Sequence, residues 1–382
     1  MEQTLGIYIH IPFCIQKCFY CDFCSFPKSN GDTMLAYVSE LCRRISLAAP
    51  SAAHLTVDTV YFGGGTPTLL PLDCFERLLN TLYKSYKISN DCEITCECNP
   101  ATADFAYLSK LRAMGINRLS IGLQSTDDHE LTLLGRAHHF SDFLAVFSDA
   151  RAAGFDNISA DLMYGIPDQT VESFSKTLDA LIKLSPEHIS AYGLKIEDGT
   201  PFARTRDQLQ LPDEETEWEL YRLCGERLAQ ADYAKYEISN FAKIGRESRH
   251  NLRYWMGREY LGFGVAAHSF FGGERFGNSR DLSAFLAGKD ITEDQIRLSA
   301  QDDYEEFIML RLRLTRGIDE QEFIDRFKKR FFEAFPSLNL YIKHGLMQIC
   351  DNKLSFTDRG FFVSNSILAD LLCFEPCDEK SS

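Results

Sequence analysis

A regular alternation of short β-branched or aromatic runs with longer amphipathic runs limits the fold of this chain more than any other feature. It extends from residue 7 to about residue 197, with a beat of roughly 30 residues that is typical of consecutive βα units. The six predicted strands are Gly6–Pro12, Val57–Phe62, Cys92–Glu97, Arg118–Leu123, Asn157–Met163 and His188–Leu194. Because strands joined by helical crossovers run parallel, the pattern predicts an α/β fold with a parallel sheet.

Amphipathic segments between these strands have apolar residues at the i, i+3 and i+4 spacing of a one-sided helix. They cover Asp32–Ala48, Leu72–Tyr86, Asp104–Met114, Ser141–Ala153 and Val171–Leu184. Six βα units are too few for a closed eight-fold barrel, so a partial (β/α)6 barrel and a doubly wound sheet remain as alternatives. In both folds the chemistry is expected at the carboxyl ends of the strands.

The pattern changes after Pro201, which predicts a different organisation in the rest of the chain. The predicted elements are a helix over Asp213–Ala231, a strand over Lys235–Ser239, helices over Asp303–Leu314 and Glu320–Phe335, a hairpin over Leu346–Thr357 and a final helix. The last of these elements resemble a winged-helix module. We expect a core domain over residues 1–232, a connecting region over 233–295 and a mainly helical C-terminal domain over 296–382.

Charge and hydropathy limit the partners and the compartment. The formal net charge of −15 disfavours nucleic acid as a partner, because phosphates are repelled. The one basic run, Arg326–Arg330, falls on a predicted helix, where a solvated face is the simpler interpretation. The first residues lack the features of a signal peptide, and no apolar run approaches the roughly 20 residues of a membrane span. We therefore expect a cytoplasmic protein without stable membrane insertion.

Four of the 13 cysteines lie close together directly after the first predicted strand: Cys14, Cys18, Cys21 and Cys24. Since a reducing compartment disfavours disulfides, metal binding or catalysis is the better explanation for the group. Three thiolates spaced C-x3-C-x2-C can converge on one face of an iron–sulfur cluster and leave one iron open. A zinc site, a four-cysteine cluster that uses Cys24, and incidental thiols remain alternatives at this point.

Three consecutive glycines, Gly63–Gly65, end the second predicted strand and are followed by Thr66 and Pro67. Without side chains, the backbone groups of such a run can approach a small ligand closely. A lone glycine run fits a tight turn equally well. Its position one strand after the cysteine group favours a ligand site.

The pattern Tyr8-x-His-x-Pro-x-Cys14-x3-Cys18-x-Tyr20-Cys21, followed by Gly63–Pro67, resembles the radical S-adenosylmethionine (SAM) superfamily. It is similar to the branch of that superfamily that contains the oxygen-independent coproporphyrinogen oxidases and the HemW heme chaperones. Further matching segments fall at later strand ends: Glu97–Pro100, Ser120–Gln124, Gly135–Arg136, Asp161–Pro167 and Tyr236–Asn240. The resemblance covers essentially the whole chain.

This resemblance implies that Cys14, Cys18 and Cys21 hold a [4Fe-4S] cluster whose fourth iron is chelated by SAM. One electron, supplied to the cluster by an electron donor, would break the C5′–S bond of the sulfonium and release a deoxyadenosyl radical. The residues that it implies for the SAM pocket are Tyr8, Tyr20, Gly64, Gly65, Thr66, Glu97, Gln124, Arg136, Asp161 and His268. A salt-bridge set at the barrel mouth is the alternative for the charged members, and core positions are the alternative for Tyr8 and His268.

The segment His250-Asn251-Leu-Arg-Tyr254-Trp255 resembles the His-Asn-x-x-Tyr-Trp pattern that the chaperones of this branch associate with heme. Imidazole ligates heme iron and aromatic faces stack on porphyrin, so these residue types suit that task. A structural histidine is the alternative for His250. The resemblance thus implies a heme chaperone, with heme and heme-accepting proteins as its partners.

The other function in the same branch is oxidative decarboxylation of coproporphyrinogen III in porphyrin biosynthesis. Two departures oppose it, because Phe23 stands where the oxidases have an additional cysteine, and the cluster motif begins at Tyr8 without their N-terminal extension. Radical modification of RNA is opposed by the charge balance. The sequence therefore favours the chaperone over the oxidase.

Overall fold

Parallel strands separated by helices form most of the structure, a computed structural model that describes residues 4–27 and 29–372. The strands up to residue 297 are β1 (Thr4–Ile11), β2 (Phe13–Cys14), β3 (Phe26–Pro27), β4 (Thr56–Gly64), β5 (Lys87–Cys98), β6 (Arg118–Gln124), β7 (Ile158–Tyr164), β8 (His188–Gly193), β9 (Ala234–Lys235), β10 (Asn240–Ala242), β11 (Tyr260–Phe263), β12 (His268–Phe271), β13 (Glu274–Asn278) and β14 (Thr292–Arg297). The outer ends of the predicted first and last domains, residues 1–3 and 373–382, lie outside the described residues.

Helices follow most of the parallel strands, as the hydrophobic pattern predicts. They are α1 (Gly31–Ala48), α2 (Leu72–Ser85), α3 (Phe105–Ala113), α4 (Asp128–Leu133), α5 (Phe140–Ala152), α6 (Val171–Leu184), α7 (Pro201–Arg204), α8 (Glu214–Gln230), α9 (Arg249–Trp255) and α10 (Leu282–Leu286). Local capping fixes several of their ends: the side chain of Asn30 accepts the N–H of Thr33 at the start of α1, and Thr170 accepts that of Ser173 at the start of α6.

The strand order decides between the two alternatives that the sequence leaves open. Across the sheet, β4, β5, β6, β7 and β8 follow β1 in chain order, and each strand is parallel to the one before it. A doubly wound sheet would reverse its order at a switch point, whereas this sheet progresses in one direction, as a barrel does. The predicted α/β fold with six parallel strands is confirmed, in its partial-barrel form.

The sheet also extends beyond β1 on the other side, which the sequence did not predict. There β11 pairs with β1 in parallel, and β12, β13 and β14 follow as antiparallel neighbours. Strands β11, β12 and β13 arise from the predicted connecting region 233–295, where the sequence analysis assigned no strand beyond Lys235–Ser239, and β14 ends just past that region.

The two faces of the sheet differ in polarity, as β6 illustrates. Leu119, Ile121 and Leu123 have no exposed surface and pack in the hydrophobic core. The intervening side chains are polar or small and line a cavity on the opposite face: Arg118, Ser120, Gly122 and Gln124. Because alternate residues of a strand point to opposite faces, one short sequence serves both the core and the cavity.

The chain divides into two compact units. Among the described residues, the first comprises those up to 234 together with 241–253 and 258–297, and the second comprises 235–240, 254–257 and those from 298 to 372. Strands β15 (Ile318–Asp319), β16 (Met347–Cys350) and β17 (Lys353–Phe356) form an antiparallel sheet in the second unit, beside helices α11 (Ala300–Arg311), α12 (Glu320–Phe327), α13 (Phe331–Ala334), α14 (Leu338–Lys343), α15 (Asp358–Phe362) and α16 (Ser364–Leu371). Throughout the described ranges, no helix combines the length and the apolar character needed to cross a membrane.

Two elements predicted after residue 201 are wrong in extent. The helix expected over Glu320–Phe335 is interrupted, because Lys328 adopts a left-handed conformation at φ +57°. The basic run Arg326–Arg330 therefore lies across a helix end and not along a helix face. The strand expected over Lys235–Ser239 is reduced to β9 and a single bridge between Glu237 and Leu314.

Candidate functional site

A cavity of about 400 Å³ lies in the first unit, and the carboxyl ends of the parallel strands contribute much of its wall. Most of the residues that the sequence analysis assigned to the cluster and to SAM line this one cavity: Cys14, Cys18, Tyr20, Cys21, Gly64, Gly65, Thr66, Glu97, Gln124, Arg136 and Asp161. They come from segments that are far apart in the sequence. The strand order brings them together, since parallel strands end at the same edge of a sheet.

The three cysteines lie on a loop whose two ends are tied together. Phe13 in β2 pairs with Phe26 in β3, and the N–H of Phe26 donates to the carbonyl of Pro12 at 2.6 Å. The loop between them presents three free, partly exposed thiols: Cys14, Cys18 and Cys21. This arrangement directs the sulfur atoms of a short, irregular segment toward one cavity.

Cys24 differs from the other three cysteines. Its side chain is buried in the hydrophobic core with 7% of its surface exposed. Its carbonyl accepts a hydrogen bond from Nε2 of His10 at 2.9 Å, which anchors the end of the loop to β1. The structure thus places Cys24 with the core, outside the set of residues that line the cavity.

Burial favours the protonated form of two thiols of the cavity when no metal is present. Burial raises the pKa of Cys14, and it raises the pKa of Cys21 to about 11. Since only thiolates bind metal, ligation at this loop releases protons. Among the described residues, no group of three His, Cys, Asp or Glu side chains is arranged to hold a metal ion. A four-iron cluster makes a different demand, because each thiolate binds its own iron.

The glycine run lies directly against the cysteine loop. A Cβ atom on Gly65 would lie 2.7 Å from the carbonyl oxygen of Phe13 and 3.0 Å from Sγ of Cys14. Gly64 has φ +115°, and a Cβ there would lie 2.6 Å from the ring of His10. Glycine is therefore required at both positions for close approach and, at Gly64, for backbone conformation.

Glu97 ends the inward face of β5 and meets the glycine run. Its Oε1 accepts a hydrogen bond from the hydroxyl of Tyr61 at 2.9 Å, and its Oε2 accepts the N–H of Gly64 at 3.1 Å. Burial, with the nearby charge of Asp161, raises the pKa of Glu97 to about 7 despite these donors. The carboxylate can accept hydrogen bonds from an ammonium or a ribose hydroxyl group.

Asp161 on β7 faces the cavity from the other side of β6. The hydroxyl of Ser120 donates to its two oxygens at 3.0 and 2.9 Å, and the hydroxyl of Ser159 donates to Oδ1 at 3.2 Å. Burial raises its pKa as well. Two acids whose pKa values are both raised in one cavity are typical of a ligand site.

Gln124 is the last residue of β6, and Arg136 follows α4, farther along the chain beyond the carboxyl end of the same strand. Nη1 of Arg136 approaches Sγ of Cys18 at 3.6 Å, and Nη2 donates to the carbonyl of Gly122 at 3.3 Å. Gln124 has φ +67°. This left-handed backbone conformation is uncommon for residues other than glycine, and residues that adopt it are often found at functional sites. The guanidinium thus lies between the cysteine loop and the strand end.

Two predicted SAM residues do not line the cavity. The hydroxyl of Tyr8 is 3.1 Å from Nδ1 of His10, and its ring stacks on that of Tyr61 with centroids 6.1 Å apart. His268 lies in β12 with an exposed side chain, opposite Gly277 in the antiparallel pair. Tyr8 therefore packs behind Tyr61, which lines the cavity. His268 lies in the part of the sheet formed by β11 to β14.

The segment with the His-Asn-x-x-Tyr-Trp pattern forms α9. The carboxylate of Glu93 accepts the N–H groups of Arg249 and His250 at 3.1 Å each, which caps the start of the helix. His250 has no exposed surface: Nδ1 is 2.9 Å from Oγ1 of Thr59, and its ring stacks on Tyr61 at 5.2 Å. Burial lowers the pKa of His250 to about 3, so the imidazole is neutral.

The other members of this segment are less enclosed. Asn251 lines the cavity, and Tyr254 and Trp255 are half-buried. Since His250 presents no surface in this position, contact between its ring and a heme iron requires α9 to move.

The sequence analysis missed several residues that line the cavity. They include Tyr61, Arg118, Ser120, Ser190 and Tyr192. Apart from Tyr61, each lies two residues from another lining residue, so the period-two alternation contained the signal that could have identified these four.

Comparison with known proteins agrees with this geometry. Residues 8–181 match the model of the radical SAM superfamily, and residues 298–363 match that of the HemN C-terminal domain. The heme chaperone HemW of Bacillus subtilis is 33% identical over 96% of this chain and 98% of its own length. The chain belongs to the HemW family of radical SAM proteins. The Escherichia coli member of the HemW family is 34% identical, with 95% and 97% of the two chains covered.

A solved structure is also similar to this member of the HemW family. Coproporphyrinogen III oxidase (HemN) from Escherichia coli, a radical SAM enzyme, has a TM-score of 0.86 and 26% identity, with 98% of this chain and 91% of that chain covered. The predicted radical SAM fold is therefore confirmed. The radical SAM family implies a [4Fe-4S] cluster and SAM as cofactors, and a cavity that combines three thiols, a glycine wall and two acids fits both.

Proposed function

We propose that the chain is a heme chaperone, which binds heme and delivers it to acceptor proteins. The observation that carries this proposal is the similarity, along nearly the whole chain, to relatives named heme chaperone HemW. The presence of the His-Asn-x-x-Tyr-Trp segment supports it, because His250, Asn251, Tyr254 and Trp255 have the side chains that heme recognition uses.

We assign the cofactors to the cavity of the first unit. Cys14, Cys18 and Cys21 would hold the [4Fe-4S] cluster, and the residues of the strand ends would hold SAM. When bound, the two cofactors supply one-electron cleavage of a sulfonium bond, for which an electron donor is needed. Glu97 and Asp161 accept hydrogen bonds from the donor groups of the ligand, and the lack of side chains at Gly64 and Gly65 admits it.

Heme is assigned to the segment that forms α9. Asn251 lines the cavity, so a heme held by this segment would lie close to the cofactors. His250 becomes an axial ligand only when its contacts with Thr59 and Tyr61 are released. Binding is therefore expected to be slow and to involve movement of α9, since a buried ring must first become exposed.

The oxidase remains the second candidate, because the HemN structure resembles this chain at 26% identity. Both functions share the cluster loop and the SAM pocket, so neither feature separates them. Phe23 lines the cavity with 61% of its surface exposed, at the position where the family resemblance implies a further cysteine in an oxidase. This substitution favours the chaperone.

One experiment separates the two functions. The cluster is rebuilt under anaerobic conditions, and the protein is given SAM, a reductant and coproporphyrinogen III, while heme is titrated in parallel and followed by its Soret absorbance. We expect heme binding without release of carbon dioxide. Formation of protoporphyrinogen would overturn the proposed function.

The matched variants are His250→Ala and His54→Ala. His54 is an exposed histidine, so its replacement controls for non-specific coordination of heme. We expect heme binding to be lost only in His250→Ala. Because His250 is buried, near-ultraviolet circular dichroism must show that the variant is folded, and Asn251→Ala provides a second, less disruptive variant. Unchanged heme affinity in both segment variants would contradict the assignment of heme to α9.

A further inference from the structure

Arg118 is the first residue of β6 and one of the largest fully buried side chains among the described residues, with 1% of its surface exposed. It shares the inward face of β6 with Ser120, Gly122 and Gln124, and with them it lines the cavity. Because these residues follow one another at a period of two, Arg118 lies below the strand end, at the inner limit of the site. A guanidinium is always ionised, so a full positive charge is fixed there.

Within the described part of the chain, the buried guanidinium of Arg118 lacks a full set of hydrogen-bond partners. Its Nε has no hydrogen-bond partner among the described residues. A buried charge is costly unless opposite charges compensate it. The opposite charges that it affects are Glu97 from β5 and Asp161 from β7, the two acids of the cavity, and both are drawn toward their ionised forms by Arg118.

Other groups near Arg118 do not provide this compensation. His188 and His250 are both fully buried, and burial lowers the pKa of each, with further lowering by Arg118 at His188 and by Arg253 and Arg118 at His250, so both are neutral. The charge of Arg118 lowers the pKa of the Tyr61 hydroxyl, but burial raises this pKa by more, so the hydroxyl is neutral too. The remaining charged side chains that line the cavity are Lys17, Asp22, Arg136, Lys195 and Glu197.

We propose that Arg118 is a positioning residue that favours the ionised forms of Glu97 and Asp161 beneath the bound SAM, so that the cavity selects a cationic sulfonium ligand. Without this charge, two buried acids that repel each other would share protons. A protonated acid no longer attracts the ammonium and sulfonium charges of the ligand. The inference rests on the proposed use of this cavity for SAM.

The consequence is a dependence of ligand selectivity on pH. SAM and S-adenosylhomocysteine share an ammonium group, so ionised acids discriminate between them only through the sulfonium charge of SAM, which the thioether lacks. Loss of the Arg118 charge raises the pKa of the acid pair, so a higher pH is needed to reach the same ionisation. A shift of one pKa unit corresponds to a tenfold change in the ionised fraction below the midpoint.

The test measures binding of SAM and of S-adenosylhomocysteine by calorimetry between pH 6 and 9, with the cluster-loaded protein under anaerobic conditions. The variants are Arg118→Met, Arg118→Lys and the control Arg77→Met, which removes an exposed arginine. In Arg118→Met we expect SAM affinity about tenfold lower at pH 7, restored by pH 9, and a midpoint about one pH unit higher. Arg118→Lys and Arg77→Met keep the midpoint of the unmodified protein.

Each other outcome has a defined meaning. An unchanged midpoint in Arg118→Met, or a loss of affinity that does not recover at pH 9, overturns the inference. If Arg118→Met does not fold, a second measurement replaces the binding experiment on that variant. It gives the number of protons released when SAM binds Arg118→Lys, from calorimetry in two buffers of different ionisation enthalpy. Proton release unlike that of the unmodified protein would then count against the inference. Failure of the unmodified protein to bind SAM at any pH contradicts the assignment of SAM to the cavity instead.

Discussion

The hydroxyl of Tyr61 donates a hydrogen bond to Oε1 of Glu97 at 2.9 Å, across the neighbouring strands β4 and β5. The ring of the same tyrosine stacks on His250 with centroids 5.2 Å apart. One side chain thus contacts an acid of the SAM pocket and the histidine assigned to heme. Any movement of α9 that exposes His250 changes the packing of the residue that orients Glu97.

Replacement of Tyr61 by phenylalanine removes one donor from Glu97 and keeps the stacked ring. A hydrogen bond to a charged group is worth roughly 1.5–3 kcal/mol, so the carboxylate should ionise less readily. We expect SAM to bind about tenfold more weakly at pH 7, with recovery at higher pH. Equilibrium dialysis at pH 7 and 9 measures this. Equal losses at the two pH values would contradict the stated role of the hydroxyl.

Replacement of Glu97 by glutamine should change the pH dependence of stability. The pKa of Glu97 is raised from 4.5 to about 7, so the folded protein keeps a proton that the unfolded chain releases. The free energy of unfolding therefore decreases as pH rises from about 4.5 to about 7. Without SAM, Glu97→Gln should melt at a higher temperature than the unmodified protein at pH 8 and at a similar temperature below pH 4.5. Glu76→Gln, at an exposed position, should show no such difference.

Replacement of Gly65 by alanine should prevent stable binding of the cluster. The added methyl group would lie 3.0 Å from Sγ of Cys14 and 2.7 Å from the backbone of Phe13, so the loop must shift. We expect a large loss of bound iron and sulfide after reconstitution, measured per chain. Gly31→Ala is the matched control, because a Cβ at Gly31 meets nothing within 4 Å. Full iron content in Gly65→Ala would show that the loop adapts freely.

Cys24 should be dispensable for the cluster. It lies in the hydrophobic core, whereas Cys18 lines the cavity. We expect Cys24→Ala to keep its iron content and visible absorbance, and Cys18→Ala to lose both. A loss of iron in Cys24→Ala comparable with that in Cys18→Ala would point to a four-cysteine site.

The hairpin of the second unit offers a test of stability. Asp351 and Asn352, between β16 and β17, both have positive φ angles, 50° and 61°, as a type I′ turn requires. Asn352→Ala should destabilise the protein by about 1–2 kcal/mol, whereas Asn352→Gly, which places the residue that this turn prefers, should keep or raise its stability. The urea concentration at half-unfolding, followed by circular dichroism, reports both changes, and the opposite order would contradict the turn assignment.

Elements that depend on local sequence could be predicted closely. The predicted strand Arg118–Leu123 differs from β6 by one residue, and the predicted helix Val171–Leu184 coincides with α6. Both follow from periodicity and capping, which are properties of neighbouring residues. The family resemblance then supplied the list of site residues, most of which line one cavity.

Features that depend on contacts between distant segments could not be predicted in the same way. The pairing of β11 with β1 joins residues some 250 positions apart, and no local pattern specifies it. Arg118 opens a predicted strand, where an arginine is ordinarily solvent-exposed, and only the packed sheet shows that it is enclosed. Likewise, only the packing of α9 against Thr59 shows that His250 is a buried side chain.

The pairing of Phe13 with Phe26 closes the cysteine loop through protein contacts alone. Much of the conformational entropy of gathering the sulfur ligands is thereby lost during folding, before any iron arrives. The cluster then binds to a preformed site, in contrast to a zinc finger, whose folding depends on the metal. A chain stripped of iron should accordingly remain folded and take up a new cluster without passing through denaturant.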